Sequence, residues 1–123
     1  MCVVGSIEIR ASYNIPYLGY VTNETMYLIP GEVTNELVLH EIGHVFSDRV
    51  DDEPYYYTYG MSVAGNELGT DDNPVEVWSD MFMNWVLDSF DNTPDGDFQY
   101  YWVESHMDRW VDDCLFVPPK GIE

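Results

Sequence analysis

A chain of 123 residues is long enough for one domain, and 46% apolar with 15% aromatic content gives it the material for a core. Lys and Arg number 4 against 23 Asp and Glu, a net charge of −19. That balance repels nucleic acid, anionic lipid headgroups and anionic substrates, and draws in cationic peptides or a basic protein partner. High-salt adaptation, solubility and lineage bias are the plain readings of such acidity. Imitation of nucleic acid, or pursuit of a basic partner, is the sharper one.

Cys2 and Cys114 lie near opposite ends. Two cysteines are too few for a disulfide framework, so reduced core thiols are expected, with a terminus-to-terminus disulfide as the alternative. The N-terminal stretch lacks a basic segment followed by an uninterrupted apolar one, and no apolar run approaches about 20 residues. A cytoplasmic protein with no membrane contact is therefore expected.

In chain order, residues of about 3–29 carry the short alternations of strands: Val3-Val4, Ile7 to Arg10, Ile15 to Val21, and Met26 to Ile29. They read as a small antiparallel or mixed sheet, with breaks at Ala11 to Asn14 and at Thr22-Asn23-Glu24. The second break is short enough for a hairpin between the segments ending at Val21 and starting at Thr25. Pro16 weakens the start of its strand or puts it at an edge.

Pro30-Gly31 stops the last strand, and a helix follows over about 33–48. Leu37, Val38, Leu39, Ile42, Val45 and Phe46 cover most of its circumference at about 100° per residue, which predicts a largely buried helix. Within it stands His40-Glu41-Ile42-Gly43-His44, an H-E-x-x-H sequence. In a helix the two histidines share one face four residues apart and can hold one metal ion, with Glu41 beside them in reach of an attacking water. Ionisable residues on so apolar a helix need partners, and a divalent cation serves both imidazoles at once. The strand leading into this helix is expected beside the metal, either with a free edge for an extended peptide or paired on both sides.

From residue 49 to 73 the periodicity is lost. A connection of this length is usually functional or contains short structure of its own. Tyr55-Tyr56-Tyr57-Thr58-Tyr59 can wall a cleft, with one hydroxyl turned to a developing oxyanion, or simply cover the core. Asp71 and Asp72 lack the spacing of a calcium loop. Asn73-Pro74 then opens a helix of about 74–90, ringed by Val75, Val77, Trp78, Met81, Phe82, Met83, Trp85, Val86, Leu87 and Phe90. Glu76 and Asp80, four apart in that apolar setting, call for cationic partners, although Glu76 also fits a capping box with Asn73. A last helix is expected over about 97–115. Tyr100, Val103, Met107, Trp110, Val111 and Cys114 form its buried stripe, and Glu104, Asp108 and Asp112 face away. His106, at the border of that stripe, is a candidate oxyanion stabiliser or a boundary residue packed on Trp110.

His40-Glu41-Ile42-Gly43-His44 followed by Glu76-Val77-Trp78-Ser79-Asp80 resembles the gluzincin zinc peptidases, whose pattern is H-E-x-x-H and then E-x-x-x-D on a second helix. The small size and the HEIGH form are similar to the ImmA/IrrE group and to phage-type zincins. A metzincin is excluded, because Ser47 and Val50 stand where a Gly and a third His are required. The resemblance implies an α+β, zincin-like fold and one Zn²⁺ held by His40, His44 and Glu76, with Asp80 orienting a ligating histidine. It further implies hydrolysis of a peptide or protein substrate, with Glu41 as general base. It matches no oxyanion-stabilising residue, and leaves His106, a loop tyrosine or no such group. The alternative is a zincin-shaped acidic interaction protein that binds a basic partner and keeps a structural or vestigial zinc.

Overall fold

A computed structural model describes residues 8–11, 19–22, 25–69 and 73–116. It is an α+β arrangement of three strands and four helices among those residues. The strands are β1 (Glu8–Ala11), β2 (Gly19–Thr22) and β3 (Thr25–Leu28); the helices are α1 (Asn35–Arg49), α2 (Glu53–Tyr57), α3 (Pro74–Leu87) and α4 (Pro94–Phe116). The segment Val3-Val4, residues 12–18 with Pro16, the Asn23-Glu24 pair, Asp71, Asp72 and Cys2 lie outside the described residues, as does the side chain of Cys114.

The sheet is mixed, in the order β1-β3-β2. β2 and β3 form the expected antiparallel pair, Thr22 opposite Thr25 across a two-residue connection. A wholly antiparallel sheet is overturned by β1, which runs parallel to β3 with Glu8 opposite Thr25. Ala11, expected as a break, is instead the last residue of β1, paired with Leu28. β3 therefore has a neighbour on each side, and β2 is an edge strand among the described residues. The alternation of β3 turns Met26 and Leu28 inward, where they meet Leu37 of α1 with Val21, Val38 and Ile42 packed around them.

The chain turns from β3 into α1 through Ile29-Pro30-Gly31-Glu32, closed by the Glu32 amide donating to the Ile29 carbonyl at 3.1 Å. Proline presets φ at the second position, and Gly31, at φ +89°, takes the left-handed third position that the turn demands. Thr34 caps the helix, its hydroxyl accepting from the Leu37 amide at 3.1 Å. α1 then lies between two apolar clusters. One is the sheet face; the other joins Phe46 and Val50 to Val77, Trp78, Met81 and Phe82 of α3 and Val103, Met107 and Trp110 of α4. This is why hydrophobic residues surround α1 on nearly every side.

α1 and α3 cross closely at Gly43. A methyl group there stands 3.1 Å from the Ser79 Cα and 3.2 Å from the Phe82 Cβ, a tight fit in which α3 must give by a few tenths of an ångström. Trp78 spans the same crossing, its indole N–H donating to the Gly43 carbonyl at 2.9 Å while its ring meets Trp110 edge-on. The burial leaves Val86 about half exposed, so the ring of apolar residues read for this helix is incomplete there.

Three boundaries differ from those read in the sequence. The 49–73 connection contains α2, which begins after Asp51 and Asp52 take left-handed backbone conformations (φ 59° and 58°) and proline follows at the helix start. α3 stops at Leu87 rather than at residue 90, because Asp88 turns left-handed (φ 52°) and its amide bonds back to Asn84 and Trp85. α4 starts at Pro94, three residues earlier than expected, where Thr93 accepts from the Gly96 amide at 3.1 Å. No helix among the described residues is long and apolar enough to cross a membrane.

Candidate metal centre

His40 and His44 leave α1 on the side facing the N-terminal half of α3, one turn apart, their rings 5.0 Å between centroids and nearly perpendicular. Each directs its Nε2 at the carboxylate of Glu76. His40 Nε2 lies 2.9 Å from Oε2 and His44 Nε2 lies 3.3 Å from Oε1. One ligand atom from each residue can be chosen so that all fall within 4.8 Å of one another. A tetrahedral ion with ligands at about 2.0–2.1 Å has ligand–ligand edges of about 3.3–3.4 Å, and of the two histidine–carboxylate distances one lies below that value and one at it. The capping-box alternative for Glu76 is not what the side chain does: it reaches the histidines.

The remaining ring nitrogens are held from behind. His40 Nδ1 meets Asp80 Oδ1 at 2.7 Å, and His44 Nδ1 meets the Tyr55 hydroxyl at 3.1 Å. With both Nδ1 atoms engaged from behind, both Nε2 atoms face Glu76, the orientation from which a metal would take them once the imidazoles are neutral. Asp80 is fully committed as well. It accepts from the Leu68 amide at 3.0 and 3.1 Å and from the Gly69 amide at 3.0 Å, so one buried carboxylate fixes a histidine and a loop together.

That loop is pinned at further points. Asn84 accepts from the Asn66 amide and donates to the Asn66 carbonyl, and Gln99 accepts from the Ala64 amide while donating to the Ser62 carbonyl. The loop thereby presses on Glu76: a Cβ placed on Gly69 falls 2.4 Å from Glu76 Oε2 and 2.5 Å from its Cβ. Glycine is required there because the backbone itself forms the wall behind the carboxylate.

Glu41 stands beside the cluster, 2% exposed, with Oε2 buried and lacking a hydrogen-bond partner among the described residues. Burial raises its carboxyl above the usual range, against the charges of His44 and His40. An orphaned carboxylate oxygen beside two histidines and a second carboxylate fits a site that takes in a cation and its water. Edge strand β2 borders it, since a Cβ on Gly19 lies 3.5 Å from Glu41 Oε1.

Burial lowers the His40 imidazole, but the hydrogen bonds with Asp80 and Glu76 and their charges outweigh it, so the group is raised from 6.5 to about 9. Glu76 is held well below the ordinary carboxylate range by its bonds to His40 and His44. Burial pushes the Tyr55 phenol up, keeping it protonated.

Five of the residues singled out in the sequence thus meet at one place: His40, Glu41, His44, Glu76 and Asp80. His106 is held elsewhere, with Nδ1 2.8 Å from the Trp102 carbonyl and its ring against Trp102, Trp110 and Tyr57. Tyr55 and Gly69 were not assigned to the site by sequence. Tyr55 belongs to the tyrosine run already marked as a possible wall, but its reach to His44 depends on α2, which has no periodicity to reveal it. The strand that borders Glu41 is β2, the antiparallel neighbour of the doubly paired β3. No protein-family model matches this sequence, and no curated protein or solved structure is significantly similar to it.

Proposed function

We propose that this chain is a zinc-dependent metallopeptidase of gluzincin type, with a zincin-like fold. The observation that carries the reading is the convergence of His40 Nε2, His44 Nε2 and the Glu76 carboxylate, with Glu41 buried and unpartnered alongside. His40, His44 and Glu76 hold the ion. A bound zinc supplies Lewis-acid polarisation of the scissile carbonyl and a more acidic water. Glu41 would serve as the general base, taking a proton from the water that adds to the scissile carbonyl and returning it to the amine as the C–N bond breaks, a task for which a carboxylate lifted by burial is suited. Asp80 and Tyr55 keep the imidazoles oriented, and β2, an edge strand among the described residues that borders Glu41, is the strand an extended peptide would join. The substrate class is a peptide or protein, drawn from cationic sequences by the net charge of −19.

The test is Glu41→Gln. The variant is expected to retain about one zinc per chain and to lose peptide-bond hydrolysis by at least about a hundredfold, the range of general-base contributions. Activity at the wild-type level in a zinc-loaded Glu41→Gln protein overturns the proposal. A second reading, an acidic interaction protein with a structural zinc, draws on the same net charge. It is distinguished by salt-sensitive binding of a basic partner that persists in Glu41→Gln without any hydrolysis in wild type.

A further inference from the structure

Away from the metal cluster, the C-terminal end of α3 and the middle of α4 border an open surface depression of about 490 Å³ lined by Trp85, Val86, Asp88, Tyr100 and Glu104. That volume lies within the range of small-molecule and side-chain pockets. Trp85 follows Glu76 by nine residues, which at about 100° and 1.5 Å per residue puts it half a turn round and about 14 Å along α3. The depression is therefore separate from the metal cluster.

The charged and aromatic residues of the lining favour positive charge. Two of the five residues are carboxylates, two are aromatic and none is basic. The last turn of α3 contains no basic residue to offset the negative end of its helix dipole. Glu104, read in the sequence as facing away from the core, is fixed by the Trp85 indole N–H at 3.0 Å. With its N–H spent on Glu104, the indole can offer only its ring to a ligand. Glu104, foremost, and Asp88 more weakly raise the Tyr100 phenol, in keeping with the placement of all three around the one depression. Aromatic walls with adjacent carboxylates are the chemistry that receives alkylammonium and guanidinium groups.

We propose that this α3–α4 depression is a docking site for a lysine or arginine side chain of a basic protein segment. Charge complementarity identifies the occupant: 23 acidic residues against 4 basic ones leave few internal cations for Asp88 and Glu104, and no ion pair to either is formed among the described residues.

The test is titration of the full chain with tetralysine, followed through the indole N–H resonance of Trp85 by NMR, with and without zinc. A tetrapeptide of Nε-acetyl-lysine serves as the uncharged control. Tetralysine is expected to shift the Trp85 resonance saturably, equally in both metal states, while the control does not. Glu104→Gln keeps an acceptor for the indole, and Asp88→Asn keeps a side chain that tolerates the left-handed backbone, so both variants should fold. Each is expected to weaken binding by about fivefold or more. Asp108→Asn, on the exposed face of α4, removes the same single charge without touching the depression and is expected to leave binding unchanged. Equal weakening in all three variants, or a Trp85 resonance that tetralysine does not move, overturns the proposal in favour of diffuse attraction to an acidic chain.

Discussion

Replacing Asp80 by asparagine isolates the group on which both the metal cluster and its loop depend. The substitution preserves size and shape, so no cavity forms. It removes a charge from a residue 2% exposed, which accepts from His40 Nδ1, the Leu68 amide and the Gly69 amide. Asparagine has one acceptor oxygen. Facing the imidazole, it turns its NH₂ group on the loop amide donors; facing the loop, it presents NH₂ to His40 Nδ1, which then accepts only as the neutral Nε2–H tautomer, so the charge-assisted bond is lost. A charge-assisted hydrogen bond contributes about 1.5–3 kcal/mol and a buried unsatisfied donor costs about 1–3 kcal/mol, so a loss of about 3–5 kcal/mol is expected. Urea denaturation at pH 7 with chelator present measures this in the metal-free protein. Zinc affinity, by chelator competition, is expected to fall about 10–100-fold, the usual consequence of losing a partner behind a ligating histidine. A midpoint within about 0.5 kcal/mol of wild type together with unchanged zinc affinity would refute the assignment of Asp80 as the shared anchor, since surface substitutions have effects of that size.

Zinc binding at pH 7 to 8 is expected to release about one proton from His40, because a group raised to about 9 is protonated there and must lose that proton to ligate; calorimetry in two buffers of different ionisation enthalpy counts it, and a count of zero contradicts the geometry. In metal-free protein, His40 contributes stability that is fully present below pH 6.5 and is lost as pH rises through about 9, so the urea midpoint in chelator should decline across that window and not below it. Gly69→Ala brings a methyl group against Glu76 and is expected to cost about 1–3 kcal/mol and at least about tenfold in zinc affinity; a variant with wild-type affinity shows the loop free to move aside. Tyr55→Phe removes the partner of His44 Nδ1 while keeping the ring, and should weaken zinc about tenfold with stability changed by less than about 1 kcal/mol, read by chelator competition and denaturation side by side.

The portions of this structure that were legible in the sequence are those specified by local pattern. His40, Glu41 and His44 stand on a helix whose apolar residues leave no wide solvent face, and α1 proves to be enclosed by the sheet on one side and α3 and α4 on the other. Glu76 and Asp80 were recognisable because two carboxylates at helical spacing among Val77, Trp78, Met81 and Met83 need partners, and the structure supplies His40 to both. The rest depends on the chain meeting itself at long range. Parallel pairing of β1 with β3 leaves no signature in a four-residue strand, whereas the β2–β3 hairpin does. The end of α3 at Leu87 turns on one left-handed aspartate in a sequence whose apolar residues continue to Phe90. Tyr55 is one of four tyrosines in a five-residue run, and only the placement of α2, with Thr58 donating to the Pro54 and Pro74 carbonyls, selects it for His44.

The same wiring explains how so acidic a chain tolerates carboxylates in its interior. Glu41 and Asp80 are each 2% exposed and Glu76 stands with them, in a molecule whose net charge of −19 works against every buried anion. In the metal-free chain, His40 is raised to about 9 by two of these carboxylates and carries a proton at neutral pH, placing one positive charge between Asp80 and Glu76. Nε2 of that imidazole is also the atom aimed at the candidate ion site. Proton and metal therefore compete for one position and do the same electrostatic work there, so the ligand geometry is held together before the ion arrives. Asp80 extends that arrangement to Leu68 and Gly69, and Gly69 returns it to Glu76 by direct contact. The loop, Glu76 and His40 form a closed circuit through one carboxylate, which is why a single oxygen-to-nitrogen change at Asp80 is expected to disturb all three.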